Sequence, residues 1–130
     1  MPVAKDIMTK KVITVGPKDK AKDAIATVVK NRISGMPVVD EKGKVLGMLT
    51  QADLLSARAT QSVESLMVSP AVTVAPTATL TTITNTLQKK KIKRVVVVDK
   101  DKCLLGVVSR LDLRNLGCRP GASGALPRPG

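Results

Sequence analysis

The sequence predicts an α+β fold assembled from two βαββα halves whose sheets pack against each other. Three observations carry that expectation. The chain repeats itself: Gly47, Thr50 and Asp53 in "VLGMLTQAD" return 59 residues later as Gly106, Ser109 and Asp112 in "LLGVVSRLD". Within each copy, β-branched runs alternate with stretches whose apolar residues fall at helical spacing. The 43% hydrophobic content holds no Phe, Tyr or Trp, so the interior must be an interlocked aliphatic one.

The repeat holds one register from about Val3–Leu54 against Ser62–Leu113, pairing Met8 with Met67, Pro17 with Pro76, Ile33 with Ile92 and Asp40 with Asp99. Each copy opens on a short strand, "VITV" at 12–15 and "AVTV" at 71–74, closed by Pro17 or Pro76. A helix follows. In the first copy Ala21, Ala24, Ile25, Val28 and Val29 occupy the spacing of one buried face. In the second, Leu80, Ile83 and Leu87 mark a thinner stripe among threonines that lower helix propensity.

Next come "MPVVD" at 36–40 and "VVVVD" at 95–99, each leading through a polar tip into a return strand, "VLGMLT" or "LLGVVS". Thr50 and Ser109 then stand as N-caps of a last helix. Neither half is large enough to bury its apolar faces alone, so two halves should share an interior. The boundaries expected are 1–55 for the first repeat, 56–62 for a connector and 63–116 for the second repeat. The Gly/Pro-rich tail at 117–130 reads as disordered, either a cloning remnant or the root of a further domain.

Composition narrows the function. The 22 basic and 10 acidic residues leave a net charge of +12, which favours anionic partners. With no histidine and two cysteines, Cys103 and Cys118, neither a zinc set nor a nucleophile–base pair can be assembled. No enzyme activity, metal or cofactor is expected. The start lacks the apolar core of a signal peptide, and no run approaches the roughly 18 apolar residues of a membrane span. A cytoplasmic setting without membrane contact is therefore the expectation.

At this point the residues carry a family likeness. "VAKDIMTKKVITVGP" with "ISGMPVVDEKGKVLGMLTQADLL", followed by "VESLMVSPAVTVAP" with "IKRVVVVDKDKCLLGVVSRLDL", resembles a tandem pair of CBS (cystathionine-β-synthase) domains. The resemblance implies a pseudo-two-fold pair of repeats, often dimerised, binding adenosine-containing ligands such as AMP, ADP, ATP or S-adenosylmethionine in clefts between them. It also implies a regulated partner, an enzyme, channel or transporter, of unidentified kind.

The duplicated loop has a chemistry that fits. Gly47 and Gly106 let a backbone approach closely, and the free N–H groups of the helix start favour an anion. Asp53 and Asp112 lie one turn on, where a carboxylate can hold a ribose diol, while Thr50 and Ser109 cap the helix or contact phosphate. The same Thr-x-x-Asp and Ser-x-x-Asp patterns also read as capping boxes, a purely structural role.

By the resemblance, backbone near Thr14–Val15 and Thr73–Val74 reads the adenine edge, with Ser34, Gly35, Met36 and Pro37 beside the slot in the first copy. Lys93, Arg94 and Val95 stand at the matching places in the second, and Arg110 stands opposite Gln51. Basic residues there commonly meet phosphate in the family, so the second site is expected to take the more charged ligand. Val96, where the family often has proline, departs from the pattern. Lys89, Lys90 and Lys91 read equally well as a solvated helix end.

Two rivals stay open. The charge would serve nonspecific nucleic-acid binding, although no aromatic residue is present to stack a base. The other is a dimerisation module with empty clefts.

Overall fold

A computed structural model describes residues 2–117. Most of the tail expected over 117–130, with Cys118, lies outside the described residues. The chain begins with α1 (Ala4–Ile7) and, after an extended stretch, forms α2 (Ala21–Asn31), β1 (Gly35–Val39), β2 (Val45–Thr50) and α3 (Gln51–Leu54). The second copy gives α4 (Val63–Leu66), β3 (Thr73–Val74), α5 (Leu80–Lys90), β4 (Arg94–Val98), β5 (Leu104–Ser109) and α6 (Arg110–Gly117).

The α+β arrangement expected from the repeat is present, down to register. Strands β1 and β2 pair antiparallel from Gly35↔Thr50 to Val39↔Val45, and β4 and β5 do the same from Arg94↔Ser109 to Val98↔Leu104. Both ladders shift register at the same place, between Val38 and Val39 and between Val97 and Val98. Each hairpin turns on an aspartate. Asp40 Oδ1 accepts the Lys42 and Lys44 N–H groups at 2.9 Å, and Asp99 Oδ1 accepts those of Asp101 and Cys103 at 2.8 and 2.9 Å. The two tips then join: the Val45 N–H donates to the Lys102 carbonyl and the Leu104 N–H to that of Gly43, both at 3.0 Å.

The opening strands are shorter than expected. In the second copy β3 pairs parallel with β4 over Thr73 and Val74, whereas the first copy keeps only a bridge between Val15 and Val38. These segments lie at a sheet edge with one neighbour each, so little holds them extended beyond the pairing.

Helices α2 and α5 each span 11 residues, despite the threonines of the second. Thr79 caps α5 by accepting the Thr82 N–H at 3.2 Å, and the Thr86 hydroxyl bonds back to the Thr82 carbonyl at 2.8 Å, which keeps these polar groups satisfied inside the helix. Ala21, Ala24 and Val28 are buried as expected. Ile25 and Val29 are not: they remain 38% and 70% exposed. The first sheet has only two strands, so it offers the helix a narrow surface to pack against.

The interior divides into two aliphatic clusters, one per half, and each is completed by residues from the other copy. Val63, in α4, is fully buried in the first cluster beside Met36, Val38 and Leu49; Ala4, in α1, is fully buried in the second beside Ile83, Val95 and Val108. Backbone bonds tie these exchanged segments down symmetrically. The Val63 and Glu64 N–H groups donate to the Asp19 and Pro17 carbonyls at 2.8 and 2.9 Å, and those of Ala4 and Lys5 to Ala78 and Pro76 at 2.9 and 3.0 Å. Sharing between halves that are too small alone thus occurs by exchange of their first turns.

Candidate functional site

Exchange also explains Gly47 and Gly106. A Cβ on Gly47 would lie 2.7 Å from the Val68 carbonyl oxygen, and one on Gly106 would lie 2.8 Å from that of Thr9 and 2.6 Å from Met8 Sδ. The close approach that glycine permits is made by the other copy's leading segment. Neither glycine lines either of the two clefts that open between the halves.

The loop that follows is the same in both copies. Asp53 Oδ2 accepts the Thr50 N–H at 2.9 Å and the Thr50 hydroxyl at 3.0 Å, while Thr50 Oγ1 accepts the Asp53 N–H at 3.4 Å. Asp112 and Ser109 repeat this at 2.9, 3.1 and 3.2 Å. The capping box is therefore real, and it engages one carboxylate oxygen. Among the described residues Oδ1 of each aspartate has no hydrogen-bond partner, which leaves an acceptor for a hydroxyl.

Two clefts open between the halves, and each combines the loop of one repeat with the first strand residues of the other. The first, about 480 Å³, is lined by Ser34, Met48, Thr50, Ala52, Lys93 and Arg94 among others. The second, about 320 Å³, is lined by Lys11, Ile13, Gly35, Arg94, Ser109 and Asp112 among others. Asp112 thus borders its cleft, while Asp53 does not border the first, where its neighbours Thr50 and Ala52 do.

The remaining expected residues are distributed unevenly. Ser34 borders the first cleft, and Gly35 and Pro37 border the second. Lys93, expected beside Asp112, sits across from Thr50 instead, because each cleft mixes the two copies. Met36 and Val95 point into the two cores with 1% and 0% exposure, as alternation along a strand requires of neighbours of an outward residue. Val15 is buried in the first cluster and Val74 packs on the second; with Thr14 and Thr73, they line neither cleft.

Arg110 also stands apart. Its Nε donates to the Ile92 carbonyl at 2.9 Å and its Nη2 to that of Leu87 at 3.2 Å, holding the end of α5 beside a separate groove against α6. Gln51 makes the matching bond to the Ile33 carbonyl at 3.2 Å in the first copy.

Arg94 is the residue that both clefts have in common. Its guanidinium bonds the Ser34 hydroxyl and lies over Gly35, where a Cβ would meet Nη1 at 2.8 Å. Burial pushes its pKa down, with no carboxylate offsetting the effect.

Sequence reasoning missed Lys11, Val12 and Ile13, and also Met48 and Val107, which supply apolar lining. The last two carry a legible signal: each is an apolar residue at the outward position of a strand whose next residue, Leu49 or Val108, faces the core. Among the described residues no cluster of His, Cys, Asp or Glu suits a metal ion, and no helix is long and apolar enough to cross a membrane.

Comparison with known proteins adds a family. The model of the CBS domain matches residues 4–60 and again 63–117. An inosine-5'-monophosphate dehydrogenase of Nitrosopumilus maritimus is 27% identical over 117 residues, 90% of this chain but 25% of that enzyme. This chain spans between 21% and 41% of the length of seven other curated relatives that it matches. Among solved structures, CBSX2 in complex with AMP, from Arabidopsis thaliana, superposes with a TM-score of 0.86 over 92% of this chain and 98% of that one; at 23% identity the likeness is one of fold. The CBS domain pair of protein MJ0100, in complex with 5'-methylthioadenosine and S-adenosylmethionine, is 27% identical with a TM-score of 0.82, covering 90% of this chain and 96% of the other.

Proposed function

The chain belongs to the CBS domain family, and on that premise we propose that it is a non-catalytic regulatory module that binds an adenosine-containing ligand between its repeats. The observation that carries this reading is the construction of the clefts: each sets a capped loop of one repeat against the first strand residues of the other. A ligand held there touches both halves and stabilises one arrangement of the pair, which is how binding is passed to a partner.

In this reading Asp112 Oδ1 accepts from the ribose hydroxyls in the second cleft, while Asp53, set back from the first cleft, acts there through the Thr50 cap that it holds. The base lies among aliphatic side chains, Met48 and Ile92 on one side of the molecule, Ile13 and Val107 on the other. Phosphate is met by Arg94, with Lys93 and Lys11 as exposed point charges. Discrimination between adenosyl ligands is modest, because few side-chain donors are present to reject an analogue. The AMP, 5'-methylthioadenosine and S-adenosylmethionine of the similar structures belong to the same ligand class.

Thermal denaturation with AMP, ATP and S-adenosylmethionine tests the proposal. A ligand that binds only the folded state at 100 times its Kd adds about 2.7 kcal/mol of stability, so the melting point must rise. Asp112→Ala should weaken that ligand-dependent rise about tenfold in concentration, by analogy with the loss of one charge-assisted hydrogen bond. No rise with any of the three would overturn the reading. A steep, salt-sensitive rise with an arbitrary oligonucleotide would instead favour the nucleic-acid alternative that the charge of +12 supports.

A homodimer in the cytoplasm completes the proposal. Support for the dimer is the exposed apolar set Ile25 and Val29 on α2 and Leu55, 86% exposed, directly after α3, the two helices being in contact. Val29→Glu should shift the mass measured by light scattering towards the monomer.

A further inference from the structure

The repeat supplies an internal control for Arg94. A strictly symmetric pair would place the same side chain at positions 35 and 94, one for each cleft. Here one position is glycine and the other arginine. Because Gly35 has no side chain, the Arg94 guanidinium extends across it and bonds Ser34 of the first cleft, and Arg94 also lines the second cleft together with Gly35, Ser109 and Asp112. The half-buried guanidinium is the cation best placed to bind phosphate strongly, since its planar fork suits two phosphate oxygens and its site is shielded from water. Lys11, Lys91 and Lys93, also at the clefts, are all exposed and screened by salt.

We propose that Arg94 is a single guanidinium shared by both clefts, so that a phosphate-bearing ligand held in one lowers the affinity of the other for a second. The inference rests on the adenosyl-ligand reading of the clefts and adds a regulatory property to it. Two phosphates converging on one guanidinium repel each other, and a fork turned to one cleft is lost to the other. A ligand without phosphate makes no such demand, so both clefts fill independently. The module would then respond to the charge of its ligand as well as to the nucleoside.

The test is isothermal titration of the full chain with AMP and with 5'-methylthioadenosine, in which an uncharged 5'-methylthio group stands in place of the 5'-phosphate. The first AMP should bind about tenfold or more tighter than the second, within the usual range of coupling between sites. 5'-Methylthioadenosine should fill two sites without that separation. To distinguish sharing from two clefts that merely differ, Arg94→Met is combined separately with Ala52→Glu, which puts a carboxylate into the first cleft, and with Asp112→Ala, which removes the carboxylate of the second. A shared guanidinium predicts that AMP affinity of the remaining cleft falls about tenfold in both backgrounds. A fall in only one background assigns Arg94 to a single cleft and overturns the proposal. Arg94→Lys, which keeps the charge without the fork, should lie between wild type and Arg94→Met; equal losses for AMP and 5'-methylthioadenosine would show a folding defect in place of the charge effect and count against the idea. Heat from neither ligand overturns the adenosyl reading itself, and the sharing with it, whereas normal binding of both without dependence on charge overturns the sharing alone.

Discussion

The two copies agree closely where the chain must hold itself together and differ where it meets solvent or ligand. Their capping boxes match within 0.2 Å in every bond, at 2.9, 3.0 and 3.4 Å in one and 2.9, 3.1 and 3.2 Å in the other. Their hairpins shift register at the same residue, and their glycines meet the same exchanged backbone. Away from these points the copies part. Ile25, Val29 and Leu55 of the first correspond to Thr84, Gln88 and Arg114 of the second, and Gly35 corresponds to Arg94. One backbone plan therefore carries an apolar helical face on one side only and a guanidinium that only one repeat provides. Duplication preserved the hydrogen-bonded framework because each piece of it is needed twice; the outward positions were free to specialise.

The largest expected effect probes whether the two cores are equivalent. Leu49 and Val108 occupy the same register position and are both fully buried. Leu49→Ala should destabilise by about 2–5 kcal/mol, and Val108→Ala by about 2 kcal/mol, since fewer methyl groups are removed. Urea unfolding of both variants checks the order, and a larger loss at Val108 would show that the second core carries the fold. A single cooperative transition in each case is expected, because α1 and α4 lock the halves together.

Next in size are the glycines. Gly47→Ala and Gly106→Ala should each destabilise by about 1–3 kcal/mol, since a backbone oxygen lies within 2.8 Å of the added carbon. Amide exchange localises the effect. The Val68 N–H, bonded to the Met48 carbonyl at 2.9 Å, should lose protection in the first variant, and the Thr9 N–H, bonded to Val107 at 2.9 Å, in the second. Loss at both amides in both variants would mean that the two exchanges open as one unit.

The smallest effect lies at the first hairpin. The Lys44 backbone N–H holds the Asp40 carboxyl below its ordinary pKa, the Lys42 N–H and the two lysine charges add to this, and desolvation opposes it. A folded pKa below the unfolded value gives stability that is full above the unfolded pKa and is lost as pH falls through the folded one. Asp40→Asn should therefore lower the melting point slightly at neutral pH and flatten its decline below about pH 4. An unchanged acid limb would show that the turn bonds form in the unfolded chain as well.

Much of this architecture was legible from residue order. The offset of 59 residues, the hairpin pairs and the capping function of Thr50 and Ser109 are local or periodic properties, and local chemistry specifies them without knowledge of the partner. The thin stripe of α5 was enough for a helix equal in length to α2, because Thr79, Thr82 and Thr86 satisfy one another along the chain. The α1 and α4 turns were not legible, since four residues carry no period to detect. Nor was the exposure of Ile25 and Val29, which depends on how wide a sheet the helix meets.

The candidate site divides along the same line. By itself the sequence determined the fold class, the duplicated loop and the surplus of positive charge, all of which follow from spacing and composition. Tertiary structure alone decided which residues share a cleft. Exchange of the first turns brought Val68 against Gly47 and Met8 against Gly106, and the meeting of the halves put Lys93 opposite Thr50. It also carried Arg94 over Gly35 to the border of both clefts. The physical reason is that a repeat too small to bury its own faces must complete its interior and its clefts with the other copy, and a pairing between distant segments leaves no local period in the sequence.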